Sequence, residues 1–206
     1  MDYSLPEEHF QKQIETIIDD VLGERKTALL LRDVSVKEGT TESVVEAVLC
    51  RDDECAPLTA SGEGVADALF TALCNHFAEE FLCLEKIAFE DFNLKAHFKE
   101  AVKRQRSDAP VEITLVLKST NGRRLYFRAQ SKSLITAVIE VVQKSVQFLI
   151  NCEQTVGELY SHIEDLSNTR RYRLRETLTL QLAELVRVGD FEETIKRVKW
   201  QTKNSR

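Results

Sequence analysis

At 206 residues the chain is long enough for one substantial hydrophobic core with a helical appendage, and 43% apolar with 30% charged residues is an ordinary globular composition. Three prolines and seven glycines leave little room for long disordered linkers, and a net charge of −6 argues against general nucleic-acid binding, which needs a basic face. The acidic start MDYSLPEEHF is no signal peptide, and five scattered cysteines (Cys50, Cys55, Cys74, Cys83, Cys152) are expected to be reduced thiols of a cytoplasmic protein.

Residues 6 to 22 predict a helix. Pro6, Glu7 and Glu8 suit a first turn, Phe10, Ile14, Ile17, Ile18, Val21 and Leu22 recur at helical spacing, and Gly23 can end it. The pattern then turns to strands: Leu29 to Val36, Val44 to Leu49 after a turn at Glu38–Thr41, and a third after residues 52 to 54. A helix follows, with Val65, Leu69, Ala72, Leu73, His76, Phe77 and Phe81 on one face and its end near Leu82.

The order then repeats. Strand character runs from Leu84 to about Phe98, and a charged loop covers Lys99 to Ala109. A hairpin joins Val111–Leu117 to Leu125–Ala129. A two-residue Asn121-Gly122 turn would set Leu125 opposite Lys118, whereas a three-residue turn at Thr120–Gly122 pairs Leu117 with Leu125 and Leu115 with Phe127. The longer turn keeps one face apolar, so it is the one expected, with Gly122 left-handed. The next helix buries Leu134, Ile135, Val138, Ile139, Val142, Val146, Leu149 and Ile150. Glu140, Gln143 and Lys144 interrupt this run, so no membrane span is expected.

The tail has no strand signals. It predicts helices over Thr155–Leu166 and Thr169–Val188, the second with a stripe of Leu174, Leu178, Leu182 and Leu185. A last helix opens with a capping box of Asp190 and Glu193 and uses Phe191, Ile195, Val198 and Trp200. The expected fold class is therefore α+β: two βββα units (residues 26–152) between an N-terminal helix (1–25) and a helical C-terminal extension (153–206).

The stretch TASGEGVADALFTAL, residues 59 to 73, carries the main site question. As a dinucleotide fingerprint it fails, because Asp67 stands where a third small residue must let helix and strand close, and Glu63 would meet a pyrophosphate with negative charge. As a helix N-terminus it can hold a small zwitterion, with backbone N–H groups for a carboxylate and Asp67 for an ammonium. The competing reading is structural, with Gly62 and Gly64 supplying positive φ and Asp67 capping the first turn.

Ala60-Ser61-Gly62-Glu63-Gly64-Val65-Ala66-Asp67-Ala68-Leu69 resembles the A-x-G-x-G-P-V-D-A-L signature of the C-terminal allosteric and dimerisation domain of 2-isopropylmalate synthase and the related homocitrate and citramalate synthases. The resemblance covers roughly Ala28 to Cys152, with Ala137 and Asn151 near the family's A…A-x-N ending. Val65 and Ala66 replace the family's proline and valine, and the second unit's turn is Gln130-Ser131-Lys132-Ser133. The resemblance implies two βββα units, a homodimer, and a small amino-acid effector such as a branched-chain amino acid, with Gly62, Gly64, Asp67, Ser131 and Ser133 as ligand-binding residues. It also implies a regulatory domain, not an enzyme, without the metal-dependent catalytic barrel: the four histidines (His9, His76, His97, His162) contain no His-x-His pair.

No cofactor and no metal are expected. Cys50 and Cys55 face one another across a turn, but no second pair completes a zinc site. Arg170, Arg171, Arg173 and Arg175 open a helix at the end whose dipole disfavours cations, which marks either a solvated face paired with Glu164, Asp165 or Glu176 or a surface for an acidic protein partner or nucleic acid, the solvated face being the one expected.

Overall fold

The computed structural model describes residues 4–52, 54–96, 110–168 and 170–204. His97, Phe98 and the expected loop at Lys99–Ala109 lie outside them. Helix α1 (Ser4–Leu22) leads into a first unit of β1 (Leu29–Glu38), β2 (Ser43–Arg51), β3 (Glu54–Gly62) and α2 (Val65–Phe77). The second unit has β4 (Ile87–Ala96), β5 (Val111–Ser119), β6 (Arg124–Ser131) and α3 (Leu134–Asp165), and two helices follow, α4 (Tyr172–Leu185) and α5 (Glu192–Asn204). Each unit is an antiparallel meander, in the order β1-β2-β3 and β4-β5-β6, backed by its own helix. The duplicated α+β architecture is the one the sequence predicts.

The hairpin arithmetic holds. Leu117 pairs with Leu125, Leu115 with Phe127 and Ile113 with Ala129, and Gly122 sits at φ +82 in the three-residue turn. This register puts Ile113, Leu115, Leu117 and Leu125 on the face covered by α3, where all four are fully buried. Each contributes roughly 1.5–3 kcal/mol by leaving water. The first strand of each unit carries an irregularity, between Arg32 and Ser35 and between Phe89 and Asp91, so the repeat extends to its bulges.

Four boundaries differ from expectation. Helix α2 stops at Phe77, and Phe81 reaches the core from a turn in which its N–H donates to the Phe77 carbonyl (2.8 Å), while His76 is exposed. A short 3-10 helix, Leu82–Lys86, occupies the start of the expected strand, because Cys83 and Leu84 turn inwards there. The expected separate helices ending near Ile150 and starting at Thr155 are one continuous helix, α3, since the buried stripe runs on through Cys152, Val156 and Leu159. Helix α4 starts at Tyr172 and buries only Leu185 fully; Leu174 points to solvent instead of joining the stripe.

Helix α3 is long and apolar enough to cross a membrane by length and composition alone. Its polar residues show it to be the core helix of this fold. Asn151 Oδ1 accepts from Thr27 N (2.8 Å) and Gln147 Oε1 from Leu29 N (3.0 Å), while Gln143 Nε2 donates to Leu29 O (2.6 Å). These amides, one helical turn apart, satisfy the backbone of edge strand β1 and weld the first sheet to the second unit's helix. Gln11 of α1 does the same for β6, its Oε1 accepting from Tyr126 N (2.9 Å).

The last helices are also tied to the core. Glu153 is 2% exposed and accepts from Cys83 N (2.8 Å), Leu82 N (3.3 Å), Thr194 Oγ1 (2.6 Å) and Arg197 Nη2 (3.2 Å). The capping box at α5 is half formed: Asp190 Oδ1 accepts from Glu192 N (3.0 Å), but Glu193 pairs with Lys196. Trp200, expected on the packed face, is 68% exposed.

Candidate functional site

The turn from β3 into α2 is built by the absence of side chains. A Cβ on Gly62 would lie 2.5 Å from Asp67 Oδ2 and 2.6 Å from Ala68 N, so only glycine lets the strand end this close to the helix. Neither Gly62 nor Gly64 has positive φ, which corrects the structural role expected of them. Gly64 is the N-cap in extended backbone (φ −160, ψ 170), with open space where a side chain would stand. Asp67 Oδ2 accepts from Glu63 N (3.2 Å), one residue before the cap. As a glycine, the N-cap residue of α2 gives no side-chain hydrogen bond to the first-turn N–H groups.

The equivalent turn from β6 into α3 is closed. Ser133 is the N-cap and its Oγ accepts from Thr136 N (3.3 Å), while Ser131 Oγ accepts from Ser133 N (3.3 Å). Position by position, Ser131 stands where Gly62 does, Ser133 where Gly64 does and Thr136 where Asp67 does, each counted from the strand end and helix start. One unit therefore has a self-capped helix and the other an uncapped one.

Two depressions lie elsewhere on the fold. A cavity of about 300 Å³ lies under α1, against β6 and α3, with Ile18, Phe127 and Phe148 as its apolar wall and Glu15 and Lys144 among its charges. Packing around Glu15 desolvates its carboxyl and raises it above the usual carboxylate range, against the lowering effect of the Gln11 hydrogen bond. A groove of about 640 Å³ runs over the outer face of the second sheet past Glu90, Asn93, Thr114, Arg124 and Arg128. There Arg124 grips Glu90 through two hydrogen bonds (2.7 and 2.9 Å), holding that carboxyl below its ordinary range.

Arg170, Arg171, Arg173 and Arg175 are all exposed, Arg171 as the residue before α4. Beside them Tyr172 is 72% exposed, and Leu174 and Leu180 are also open to solvent. Among the described residues no group of three or more His, Cys, Asp or Glu gathers to hold a metal ion. Cys50 and Cys55 do face one another, as expected from the turn, but as a disulfide, which corrects the reduced state expected of all five cysteines. The antiparallel register sets the two residues directly opposite with their Cα atoms 4.1 Å apart. Glu153, Thr194 and Arg197 were not legible as a group; the one signal was a carboxylate at a buried helical position between Leu149 and Val156.

Two three-stranded antiparallel meanders, each leading through a strand-to-helix turn into a packed helix, differ in topology from the alternating strands and helices of a catalytic (β/α)8 barrel. The chain belongs to the LeuA allosteric (dimerisation) domain family, whose model matches residues 8–150. No curated protein matches the chain significantly.

Proposed function

We propose that the chain acts as a non-catalytic, homodimeric regulatory module that takes a small zwitterionic effector, such as a branched-chain amino acid, at the N-terminus of α2. The observation that carries this reading is the contrast between the two turns: α2 is uncapped with free volume at Gly64, whereas Ser133 caps α3. The effector's carboxylate would meet the first-turn N–H groups and its ammonium the Asp67 carboxylate. Gly62 and Gly64 carry this reading further than Ser131 and Ser133, whose hydroxyl oxygens already accept backbone N–H groups, as Asp67 Oδ2 also does from Glu63 N. Thermal melting with leucine, isoleucine, valine or lysine at millimolar concentration tests it. A ligand that binds the native state raises the midpoint; no shift with any of the four would sink it.

A second reading is a scaffold that docks a protein partner, such as a separately encoded catalytic subunit, through the C-terminal helices. Exposed Tyr172, Leu174 and Leu180 on the helix opened by Arg170, Arg171, Arg173 and Arg175, with Trp200 exposed on α5, favour it. Deleting residues from 153 onward would be a poor test, since it removes buried Glu153 and splits α3. Substituting Tyr172, Leu180 and Trp200 by alanine is better: lost partner binding with unchanged melting supports docking, and retained binding counts against it.

A further inference from the structure

The first sheet ends in a cysteine pair that neither functional reading uses. Its two residues differ in exposure. Cys50 is 5% exposed, whereas Cys55 is exposed and lines a notch of about 180 Å³ with Arg51, Glu54, His76, Phe77 and Glu80.

From this notch a line of contacts leads to the C-terminal helix. Arg51, next to Cys50 in the chain, donates to Glu80 Oε2 at 2.6 Å, and its guanidinium lies 5.6 Å from the centre of the Phe77 ring. The backbone carbonyl of Glu80 accepts from Arg197 Nη2 of α5 (2.9 Å). The same nitrogen donates to buried Glu153 (3.2 Å), which also holds Thr194. The crosslink thus fixes the backbone from which Arg51 orients Glu80, and Glu80 is half of what holds Arg197 in place.

We propose that Cys50–Cys55 is a thiol–disulfide exchange site through which a dithiol reductant loosens α5. A thiolate of the reductant attacks Sγ of Cys55, the exposed residue of the pair; the protein S–S bond breaks, and Cys50 leaves as a thiolate that takes a proton from water. The reductant's second thiolate attacks the mixed disulfide, releases Cys55 as a thiolate that is protonated in turn, and departs as a cyclic disulfide. Two electrons and two protons pass, net, from the dithiol to the cysteine pair. The other thiols are poor competitors: burial pushes Cys74 up to about 12, and burial moves Cys83 and Cys152 well above the usual thiol range. In a reducing compartment the pair would rest as a dithiol, and in an oxidising one as the fastener. This inference is independent of whether an effector binds.

The test is amide hydrogen exchange of the full chain, read by mass spectrometry over Glu192–Asn204 before and after dithiothreitol, with alkylation of Cys50 and Cys55 after quenching to report their reduction. Reduction is expected to add two alkyl groups to this pair and to speed exchange over α5 roughly fivefold. Arg51→Met should show the fast rate in both redox states, as should the Cys50→Ser/Cys55→Ser double variant. If the double variant does not fold, wild type and Arg51→Met decide between them. Full alkylation of the pair without reductant, or α5 exchange that is the same in oxidised and reduced wild type, would overturn the proposal.

Discussion

Asn151 of α3 and Thr27 at the entry to β1 exchange two hydrogen bonds: Thr27 N donates to Oδ1 (2.8 Å) and Nδ2 donates to Thr27 O (3.1 Å). Both residues are buried, 124 positions apart in the chain, and one belongs to each unit. This amide is one of three along α3, with Gln143 and Gln147, that tie the two repeats together. Asn151→Ala leaves a buried N–H and a buried carbonyl without partners and should cost about 2–4 kcal/mol in urea unfolding. Asn151→Asp keeps the acceptor and loses the donor, so it should fall short of wild type as well.

Glu153 is the corresponding anchor for the C-terminal helices. Glu153→Ala strands Arg197, Thr194 and two backbone N–H groups. Arg197 keeps the Glu80 carbonyl, so the loss falls mainly on the two backbone N–H groups and Thr194 and should destabilise by roughly 2–4 kcal/mol. Protease digestion should then release α5 before the core, since it keeps only the Arg197 bond to the Glu80 carbonyl, the packing of Ile195 and the Lys86–Asp190 pair just ahead of the helix.

The glycines of the α2 turn should respond oppositely to added side chains. Gly62→Ala forces a methyl against Asp67 and Ala68 and should cost about 1–3 kcal/mol in thermal or chemical melts. Gly64→Ser enters open space at an extended N-cap, copies Ser133, and should gain about 0.5–1 kcal/mol. By occupying the first-turn N–H groups, the same serine should abolish any amino-acid-induced rise in melting midpoint.

Several carboxylates set the pH response. Lys37 with Ser35 lowers Glu46, Arg124 lowers Glu90, and Lys86 lowers Asp190, from ordinary values of 4.5, 4.5 and 3.8. Depressed folded values mean that their contributions are complete above those ordinary values and are lost as pH falls through the lowered ones. Glu15 has the opposite sign, because desolvation makes its ionised form unfavourable in the fold. Glu15→Gln should therefore raise the melting midpoint near about pH 7 and leave it unchanged near about pH 3, where both states hold the proton. A gain at both pH values would show that the effect is not electrostatic.

The repeat was legible because strands and helices announce themselves by period, and the hairpin register followed from keeping Leu115, Leu117, Leu125 and Phe127 on one face. The turn at Gly62–Gly64 was legible as a strand-to-helix junction, but its mechanics were not: whether a glycine gives positive φ or close approach depends on what stands beside it, here Asp67 and Ala68. The break expected before Thr155 was misplaced because Asn151, Glu153 and Gln154 look like a polar helix end. In the fold they are buried or half-buried partners of Thr27 and Cys83. Gln143 likewise read as an interruption of an apolar run and is a clamp on Leu29 and Leu31. Polar residues that serve a distant backbone carry no local sign of doing so. The Cys50–Cys55 pairing followed from the turn, whereas its bonded state did not.

The central claim is a dimeric regulatory module whose open α2 terminus receives a small amino acid. Native mass spectrometry of the full chain, with leucine, isoleucine, valine or lysine added in turn, tests it most directly. The predicted result is a species of twice the chain mass that gains one of these amino acids, with the adduct lost in Gly64→Ser. A monomer at every concentration, with no adduct from any of the four, would contradict it.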